Sequence, residues 1–309
     1  MGIISKLYIK NMVCRYDRGV GVPYYSYTDF EGLNQEEYTF TNSKGIELKY
    51  FYFYYDKFKK DKIVFFLHGL ECGHAAYMGE INALAKQGYK VLTMDYTGCG
   101  DSKGKCLGSI YTPTKDVLEL LDYLKIDKEI VLVGHSLGGF TALNLMNYKK
   151  EFTKAVILAG FIKPELEFNA LIKSKFLVKG IIRYEKKVAK ELYSLDNLEY
   201  LKNTNDKIFF IQSEDDGMIP YSTALKLVEE MNNPNIKTLK VVGRKHNPNY
   251  TDDAVMYMNN AFFDFNTKVK NKEIKTVDDR INFFKNIEID KLVEQDTKMF
   301  EEIAKFIDK

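Results

Sequence analysis

The chain has 309 residues, of which 45% are hydrophobic and 28% are charged. This composition is typical of folded globular proteins and excludes the disordered and fibrous classes. Its 45 lysines and arginines balance 43 aspartates and glutamates, and a net charge of +2 with dispersed lysines argues against nucleic acid as a partner.

The N-terminal segment, residues 1–36, precedes the first predicted strand. Lys6 and Lys10 interrupt its apolar residues, so it lacks the stretch of about 7 to 15 apolar residues of a signal peptide. No part of the sequence approaches the about 20 apolar residues that span a membrane, so we expect a cytoplasmic protein without stable membrane insertion. We interpret the segment as a strap on the sheet or as a lip of a substrate entrance, because aromatic residues surround Pro23: Tyr24, Tyr25, Tyr27 and Phe30.

Strand-like and helix-like segments alternate over the next part of the chain. Residues 37–42 and 46–55 alternate polar and aromatic side chains around a turn, which predicts a β-hairpin. Short, continuously apolar runs follow, as expected for strands buried on both faces, at 63–67, 89–94, 130–133, 155–159, 208–211 and 239–242. Helical stretches separate most of these runs, at 75–87, 115–124, 137–148 and 221–231. This order predicts an α/β fold with a mostly parallel, doubly wound sheet that begins with an antiparallel hairpin.

Two further regions are added to this core. After the sixth strand, residues 161–204 hold helix-like pieces with interleaved apolar and basic side chains, and we interpret them as an inserted helical cap. The α/β core then comprises residues 37–160 and 205–309. Its last part is predicted to contribute two helices, at 254–265 and 292–307, packed on the sheet.

The sharpest chemical signal is Gly134-His135-Ser136-Leu137-Gly138, a G-x-S-x-G motif directly after a predicted strand and directly before a helix. The serine of such a motif sits on a tight, strained turn, where only glycine fits at the two flanking positions. The turn exposes the hydroxyl at the carboxyl edge of the sheet, and the N-terminus of the next helix favours developing negative charge. The motif therefore predicts that Ser136 is a nucleophile, with simple helix capping as the alternative role.

A serine nucleophile needs a general base and an acid that orients the base. Of the four histidines, His246 follows a predicted strand and is suited to reach over the sheet edge. The acid is expected just past another strand, where three carboxylates compete. Asp216 is preferred because it precedes the Gly-Met-Ile-Pro segment that opens the next helix, whereas Asp215 and Glu214 stay open as alternatives.

Two backbone amides are expected to stabilise the oxyanion of the reaction. One belongs to Leu137, directly after the serine, and the other to Leu70, because Gly69 lets the chain turn after the preceding strand. An alternative interpretation is a metal site formed by three nearby side chains, those of His68, Cys72 and His74. We do not favour it, because tight structural zinc sites usually have four ligands and no fourth is suitably spaced.

Together these residues resemble the α/β-hydrolase superfamily over about residues 37–258. The motifs follow the family's order: His68-Gly69, Asp95-x-x-Gly98-x-Gly100-x-Ser102, GHSLGG at 134–139, the acid at 216 and the histidine at 246. Within the superfamily, the chain looks most similar to the branch of cytosolic esterases, monoacylglycerol lipases and serine aminopeptidases, whose caps also follow the sixth strand. One departure is the oxyanion loop, which reads HGLECG instead of the commoner HGxxG.

The resemblance implies a two-step acyl transfer to water, in which Ser136 attacks a carbonyl, His246 moves the proton and Asp216 orients His246. Such chemistry requires no metal or organic cofactor. The large apolar residues of the predicted cap favour a small-molecule carboxylic ester or thioester with an apolar acyl group as the substrate. Two alternatives stay open: an aminopeptidase, in which Glu165 or Glu167 would anchor the amino group, and a non-catalytic ligand-binding protein of the same fold.

Overall fold

A mixed β-sheet lies at the centre of the molecule. The computed structural model describes residues 2–58, 61–149 and 151–309. Over these ranges the sheet has eight strands: β1 (Leu33–Thr41), β2 (Glu47–Tyr55), β3 (Ile63–Leu67), β4 (Lys90–Met94), β5 (Ile130–His135), β6 (Lys154–Leu158), β7 (Lys207–Ser213) and β8 (Ile236–Val241). Their order across the sheet is β1-β2-β4-β3-β5-β6-β7-β8; β2 is antiparallel to β1 and β4, and all other neighbours are parallel. The α/β fold and its leading hairpin are therefore as predicted from the sequence.

Within the described ranges, twelve α-helices surround the sheet: α1 (Ile3–Asn11), α2 (Met78–Lys86), α3 (Thr112–Leu124), α4 (Leu137–Tyr148), α5 (Pro164–Leu171), α6 (Lys175–Ala189), α7 (Asn197–Asn203), α8 (Leu225–Met231), α9 (Asp252–Lys270), α10 (Val277–Phe284), α11 (Ile289–Leu292) and α12 (Thr297–Asp308). None of them combines the length and the apolar character that crossing a membrane requires. Side chains of α3, α4 and α8 pack on one face of the sheet, and those of α2 and α12 pack on the other. Because both faces of the sheet are covered, β3 is apolar and buried at every position.

The carboxyl ends of the central parallel strands meet at one edge of the sheet. Leu67 at the end of β3 pairs with Gly134 of β5, and His135 of β5 pairs with Leu158 of β6. Leu158 in turn pairs with Ile211 of β7. The loops that follow these strands therefore converge, at the place where doubly wound sheets bind their ligands.

Three helices, α5, α6 and α7, lie in the predicted cap region between β6 and β7. Ser174 caps α6, because its hydroxyl accepts a hydrogen bond from the Leu177 amide at 3.4 Å. The N-terminal helix α1 packs on α6, where the hydroxyl of Tyr8 donates a hydrogen bond to the carboxylate of Glu185 at 2.6 Å. The segment before β1 thus contains a helix that the sequence patterns did not indicate.

The aromatic residues near Pro23 lie further along the same N-terminal segment. Tyr25, Tyr27 and Phe30 are partly buried against the core cluster on the face of the sheet that carries α2 and α12. The rings of Tyr25 and Phe30 also contact each other, with their centroids 4.7 Å apart. These contacts are those expected of a strap that packs on the sheet.

The C-terminal helices differ from the prediction in how they pack. α9 is longer than the predicted segment, and Ala254 and Val255 in its first turn are buried, whereas Phe263 is 74% exposed. α12 packs on the sheet as expected, although it begins later than predicted, because Asp296 caps it by accepting a hydrogen bond from the Met299 amide at 3.1 Å. The expectation that both helices lie on the sheet is right for α12 and wrong for α9, because the buried residues of α9, Ala254 and Val255, belong to a separate small cluster with Tyr250.

Candidate active site

Ser136 occupies the turn between β5 and α4, and residues 134–138 are called the elbow below. Its backbone has φ 55° and ψ −117°, a strained conformation for a residue with a side chain. A Cβ atom at Gly134 would lie 2.2 Å from the carbonyl oxygen of Gly138, and one at Gly138 would lie 1.9 Å from that of Leu67. No larger residue fits at either position without a backbone shift, which is what the G-x-S-x-G motif predicts.

His246 and Asp216 form a hydrogen-bonded pair in the loops that follow β8 and β7. The Nδ1 atom of His246 lies 2.8 Å from Oδ2 of Asp216, whose side chain is completely buried. The other carboxylate oxygen of Asp216 accepts hydrogen bonds from the amides of Met218 and Ile219, at 2.8 and 2.9 Å. The carboxylate is therefore fixed, and its contact with Nδ1 favours the tautomer in which Nε2 is the basic atom of the ring.

The two competing acids contact other residues. Asp215 forms an ion pair with Lys245, with 2.9 Å between the charged groups. Glu214 faces Lys240 at 3.4 Å. Within the described chain neither carboxylate bonds to the histidine, so the geometry brings only the preferred acid to it.

The oxyanion loop, residues 68–71, lies against the serine. A Cβ atom at Gly69 would be 3.2 Å from the Cβ atom of Ser136, so this stretch of backbone borders the serine side chain. Leu70, the residue expected to supply one oxyanion donor, follows directly and is half-buried. Leu137, the other expected donor, is the first residue of α4, so its amide has no partner inside the helix. Both predicted donors therefore belong to backbone that flanks the serine.

Tyr77 connects three loops of the site. Its hydroxyl accepts a hydrogen bond from the Gly69 amide at 3.1 Å and lies 3.1 Å from Nδ1 of His135. The Nε2 atom of His135 lies 2.8 Å from the carbonyl oxygen of His246. Because a carbonyl oxygen only accepts, Nε2 of His135 carries the proton and the Tyr77 hydroxyl donates to Nδ1. A continuous chain of hydrogen bonds thus joins the oxyanion loop, the elbow and the loop that carries His246.

His135 stays neutral in this network. Burial, followed by the nearby His246, lowers the pKa of His135 to about 3, so the tautomer described above persists at neutral pH. The imidazole rings of His135 and His246 contact each other at a tilt of 58°, with their centroids 4.8 Å apart. The hydrogen bonds of His246 within the described chain go to Asp216 and His135, and none joins it to the Ser136 hydroxyl. Such contacts are often long in the absence of substrate and tighten in the reacting complex.

The alternative metal site does not form from the residues considered in the sequence. His68 is completely buried, and burial lowers its pKa to about 4. The Nδ1 atom of His74 lies 3.0 Å from the carboxylate of Asp95. Among the described residues, the side chains close enough to share a metal ion are a different set: His74, Asp95 and Asp101. His68 and Cys72 lie outside this set.

Asp95 has a structural role that explains Gly100 of the D-x-x-G-x-G motif. Its two carboxylate oxygens accept hydrogen bonds from the amides of His74, at 2.7 Å, and Asp101, at 2.8 Å. The carboxylate thereby ties the loop after β3 to the loop after β4. A Cβ atom at Gly73 or Gly100 would lie 2.1 or 2.3 Å from this carboxylate, so the close approach requires both glycines. Both carboxylate oxygens of Asp95 thus accept hydrogen bonds from backbone amides.

The two acids considered as an amino anchor lie in different surroundings. Glu165 is hydrogen-bonded to the hydroxyl of Tyr193. Glu167 is buried, one of its oxygens accepts a hydrogen bond from the Thr223 hydroxyl at 3.4 Å, and the other has no partner within the described chain. Burial, followed by the negative charge of Asp216, raises the pKa of Glu167 to about 8. Glu167 therefore lies near Asp216, and only one of its two carboxylate oxygens has a hydrogen-bond partner within the described chain.

The order of the sheet, the strained serine after β5 and the acid–histidine pair after β7 and β8 define an α/β hydrolase fold. Residues 59–231, more than half of the chain, match the family described as serine aminopeptidase, S33 (Hydrolase_4), and the chain belongs to this family. The matched part contains Ser136 and Asp216 and ends before His246.

Similar proteins carry several hydrolase names. An esterase structure from Pyrococcus furiosus has a TM-score of 0.58 and 19% identity, and it covers 84% of this chain and 96% of its own, a likeness that shows the fold. The human mitochondrial palmitoyl-protein thioesterase is 26% identical over 200 residues, which cover 56% of this chain and 63% of that protein. An epoxide hydrolase from Caballeronia sordidicola is 38% identical over 96 residues, which cover 30% of this chain and 29% of that protein. The chain thus spans less than two thirds of the length of either curated relative.

Proposed function

We propose that the chain is a serine hydrolase that cleaves carboxylic esters or thioesters with an apolar acyl group. The observation that carries this proposal is the 2.8 Å contact between His246 and Asp216, at the sheet edge where Ser136 lies on its strained turn. Membership of the serine aminopeptidase family and the similarity to a palmitoyl-protein thioesterase support hydrolysis of an acyl group.

In the proposed reaction, Nε2 of His246 removes the proton of the Ser136 hydroxyl, whose oxygen attacks the acyl carbon. The amides of Leu70 and Leu137 stabilise the negative charge that develops on the carbonyl oxygen. Asp216 keeps a proton on Nδ1 and stabilises the imidazolium that forms. His246 then protonates the departing alcohol or thiol, and a water molecule cleaves the acyl-enzyme with His246 as the base.

A small cavity beside α4 is the proposed acyl cavity. It has a volume of about 140 Å³ and lies between α4 and the chain that leads into and out of α5 to α7. Its lining combines the apolar side chains of Tyr111, Phe140, Ile162 and Leu195 with three charged residues, Lys163, Glu165 and Asp196. Phe140 is about one helical turn beyond Ser136, which favours a position close to the acyl carbon.

Initial rates on p-nitrophenyl esters, from acetyl to palmitoyl, test the proposal in the wild type and in Ser136→Ala. We expect the wild type to cleave these esters with a preferred acyl chain length, and the variant to lose about three or more orders of magnitude in rate because it lacks the nucleophile. The control variant Ser43→Ala, in the exposed turn between β1 and β2, should keep full activity. A wild type that cleaves none of the esters, at rates equal to those of Ser136→Ala, would favour the non-catalytic ligand-binding alternative.

An aminopeptidase is the second candidate, and Glu167 is the observation that favours it. An ammonium group would pair with the buried oxygen of Glu167 that lacks a partner and would restore the ionised carboxylate. The family description points the same way. In this case aminoacyl p-nitroanilides are cleaved faster than esters, and Glu167→Gln raises KM for the anilides by about tenfold or more. The exposed Glu191→Gln is the matched control, and an anilide KM that does not change in Glu167→Gln would exclude Glu167 as the anchor.

A further inference from the structure

A surface that is both basic and apolar covers the outer side of α1 and the adjacent part of the predicted cap. We call it the basic face and define it by residues 2–11, which include α1, and residues 171–190, which include α6. Its large apolar side chains are exposed to solvent: Ile3 by 76%, Leu7 by 51%, Leu171 by 44%, Phe176 by 75% and Leu177 by 39%. Clusters of exposed apolar side chains mark interaction surfaces, whereas single ones do not.

The opposite side of α1 holds this helix against α6. A Cβ atom at Gly180 would lie 2.7 Å from the side chain of Ile4, so the two helices are in close contact there. Tyr8, one turn later, is buried and hydrogen-bonded to Glu185. The two helices therefore run side by side in the same direction. Ile3 consequently lies toward the end of α6 at which the exposed apolar side chains of that helix are found.

The same surface carries an excess of positive charge. The only acid in these two segments, Glu185, is buried against Tyr8. Some lysines elsewhere in the molecule form ion pairs, as Lys149 does with Asp122 at 2.8 Å. In contrast, the basic face has nine exposed cationic side chains without an ion-pair partner within the described ranges: Lys6, Lys10, Lys173, Lys175, Lys179, Arg183, Lys186, Lys187 and Lys190.

We propose that the basic face adsorbs to the surface of a lipid bilayer that contains anionic lipid. Its apolar side chains would enter the boundary between headgroups and acyl chains, and its lysines would bind the negatively charged headgroups. A second copy of the chain is a poor occupant, because a twofold contact would bring like charges together. The contact is peripheral and does not depend on the chemistry at Ser136.

Sedimentation of the full chain with vesicles of phosphatidylcholine, with and without phosphatidylglycerol, tests this proposal. We expect the partition coefficient to be at least about tenfold higher when phosphatidylglycerol is present and to fall as salt is added. The double variant Phe176→Ser with Leu177→Ser should lower it by about tenfold or more. The double variant Lys175→Glu with Lys179→Glu should have an effect of similar size, since each lysine contributes to the attraction.

Matched controls lie outside the basic face. Phe263→Ser changes a side chain on α9 that is 74% exposed, and Lys298→Glu with Lys305→Glu changes two exposed lysines of α12. Both should bind like the wild type, and equal thermal midpoints would verify that all variants fold. Equal binding to the two kinds of vesicle, or equal losses in test and control variants, would overturn the proposal. Binding to soluble polyglutamate as tight as to vesicles, with no effect of Phe176→Ser and Leu177→Ser, would also overturn it and indicate an acidic protein partner.

Discussion

At the scale of single residues, the hydroxyl of Tyr77 is the group that joins the oxyanion loop to the elbow. In Tyr77→Phe, the Gly69 amide and Nδ1 of His135 lose a buried partner, at about 1 to 3 kcal/mol of stability for each. We expect kcat on esters to fall by about tenfold, equivalent to about 1.4 kcal/mol, because the oxyanion loop is less well fixed in the transition state. KM should change little, since the hydroxyl does not line the proposed acyl cavity.

Steady-state kinetics on the best p-nitrophenyl ester measure both constants. Tyr123→Phe is the control, because that side chain is 60% exposed on α3 and lies away from the site. An unchanged kcat in Tyr77→Phe would argue against its positioning role, and so would an equal fall in both variants.

Two features of the site could be predicted: the strained turn at Ser136 and the position of His246 near the sheet edge. The G-x-S-x-G motif specifies the turn, and the order of the residues along the chain leaves few candidates for the base. The contact of Asp216 with His246 was less certain from sequence, since Asp215 differs from it by one position. The turn that follows decides between them, because two of its amides hold the Asp216 carboxylate. The hydrogen bonds of Tyr77 could not be predicted. No spacing rule relates residues 69, 77 and 135, and their contact depends on tertiary packing.

At the scale of elements, Glu185 joins α1, α6 and the chain before α3. Its buried carboxylate accepts hydrogen bonds from the hydroxyls of Tyr8, at 2.6 Å, and Ser109, and from the Ile110 amide at 3.3 Å. In Glu185→Ala these donors lose their partner, so we expect the free energy of unfolding to fall by about 3 kcal/mol or more. Urea unfolding followed by circular dichroism measures the change. The exposed Glu191→Ala is the control, and equal stabilities of the two variants would contradict this role.

The strands could be predicted more reliably than the packing of the helices. Continuous apolar runs indicate strands covered on both faces, and β3 and β6 are indeed buried along their whole length. The position of α9 could not be predicted, because an amphipathic pattern does not show how many turns of the helix pack against the rest of the protein. α1 was not predicted because its nine residues are too few to show a clear periodic pattern. Its buried side packs on α6, which is distant in the sequence.

At the scale of the whole molecule, Glu80 should make stability depend on pH. It is buried on α2, where burial raises its pKa to about 7 and the side chain of Asn249 donates a hydrogen bond to it at 3.1 Å. In the unfolded chain a glutamate has a pKa of about 4.3. Between that pH and about 7 the folded state keeps a proton that the unfolded state loses, so the stability of the wild type falls as the pH rises through this window.

Glu80→Gln cannot ionise and keeps an oxygen that accepts from Asn249. Its free energy of unfolding relative to the wild type should therefore rise by about 3 kcal/mol between about pH 4 and about pH 8. Urea unfolding at a series of pH values measures this difference. Glu301→Gln, an exposed position on α12, should show no such trend. A difference between Glu80→Gln and the wild type that stays constant with pH would contradict the assignment.

The sheet brings Ser136, Asp216 and His246 to one edge, and the central claim is that they act together, with Ser136 as an activated nucleophile. Intact-mass spectrometry after treatment with a fluorophosphonate, followed by peptide mapping, tests this claim most directly. We predict a single adduct on Ser136 in the wild type, no adduct in Ser136→Ala, and labelling slower by about three or more orders of magnitude in His246→Ala, which lacks the base. A wild type that is not labelled, or an adduct that persists in Ser136→Ala, would contradict it.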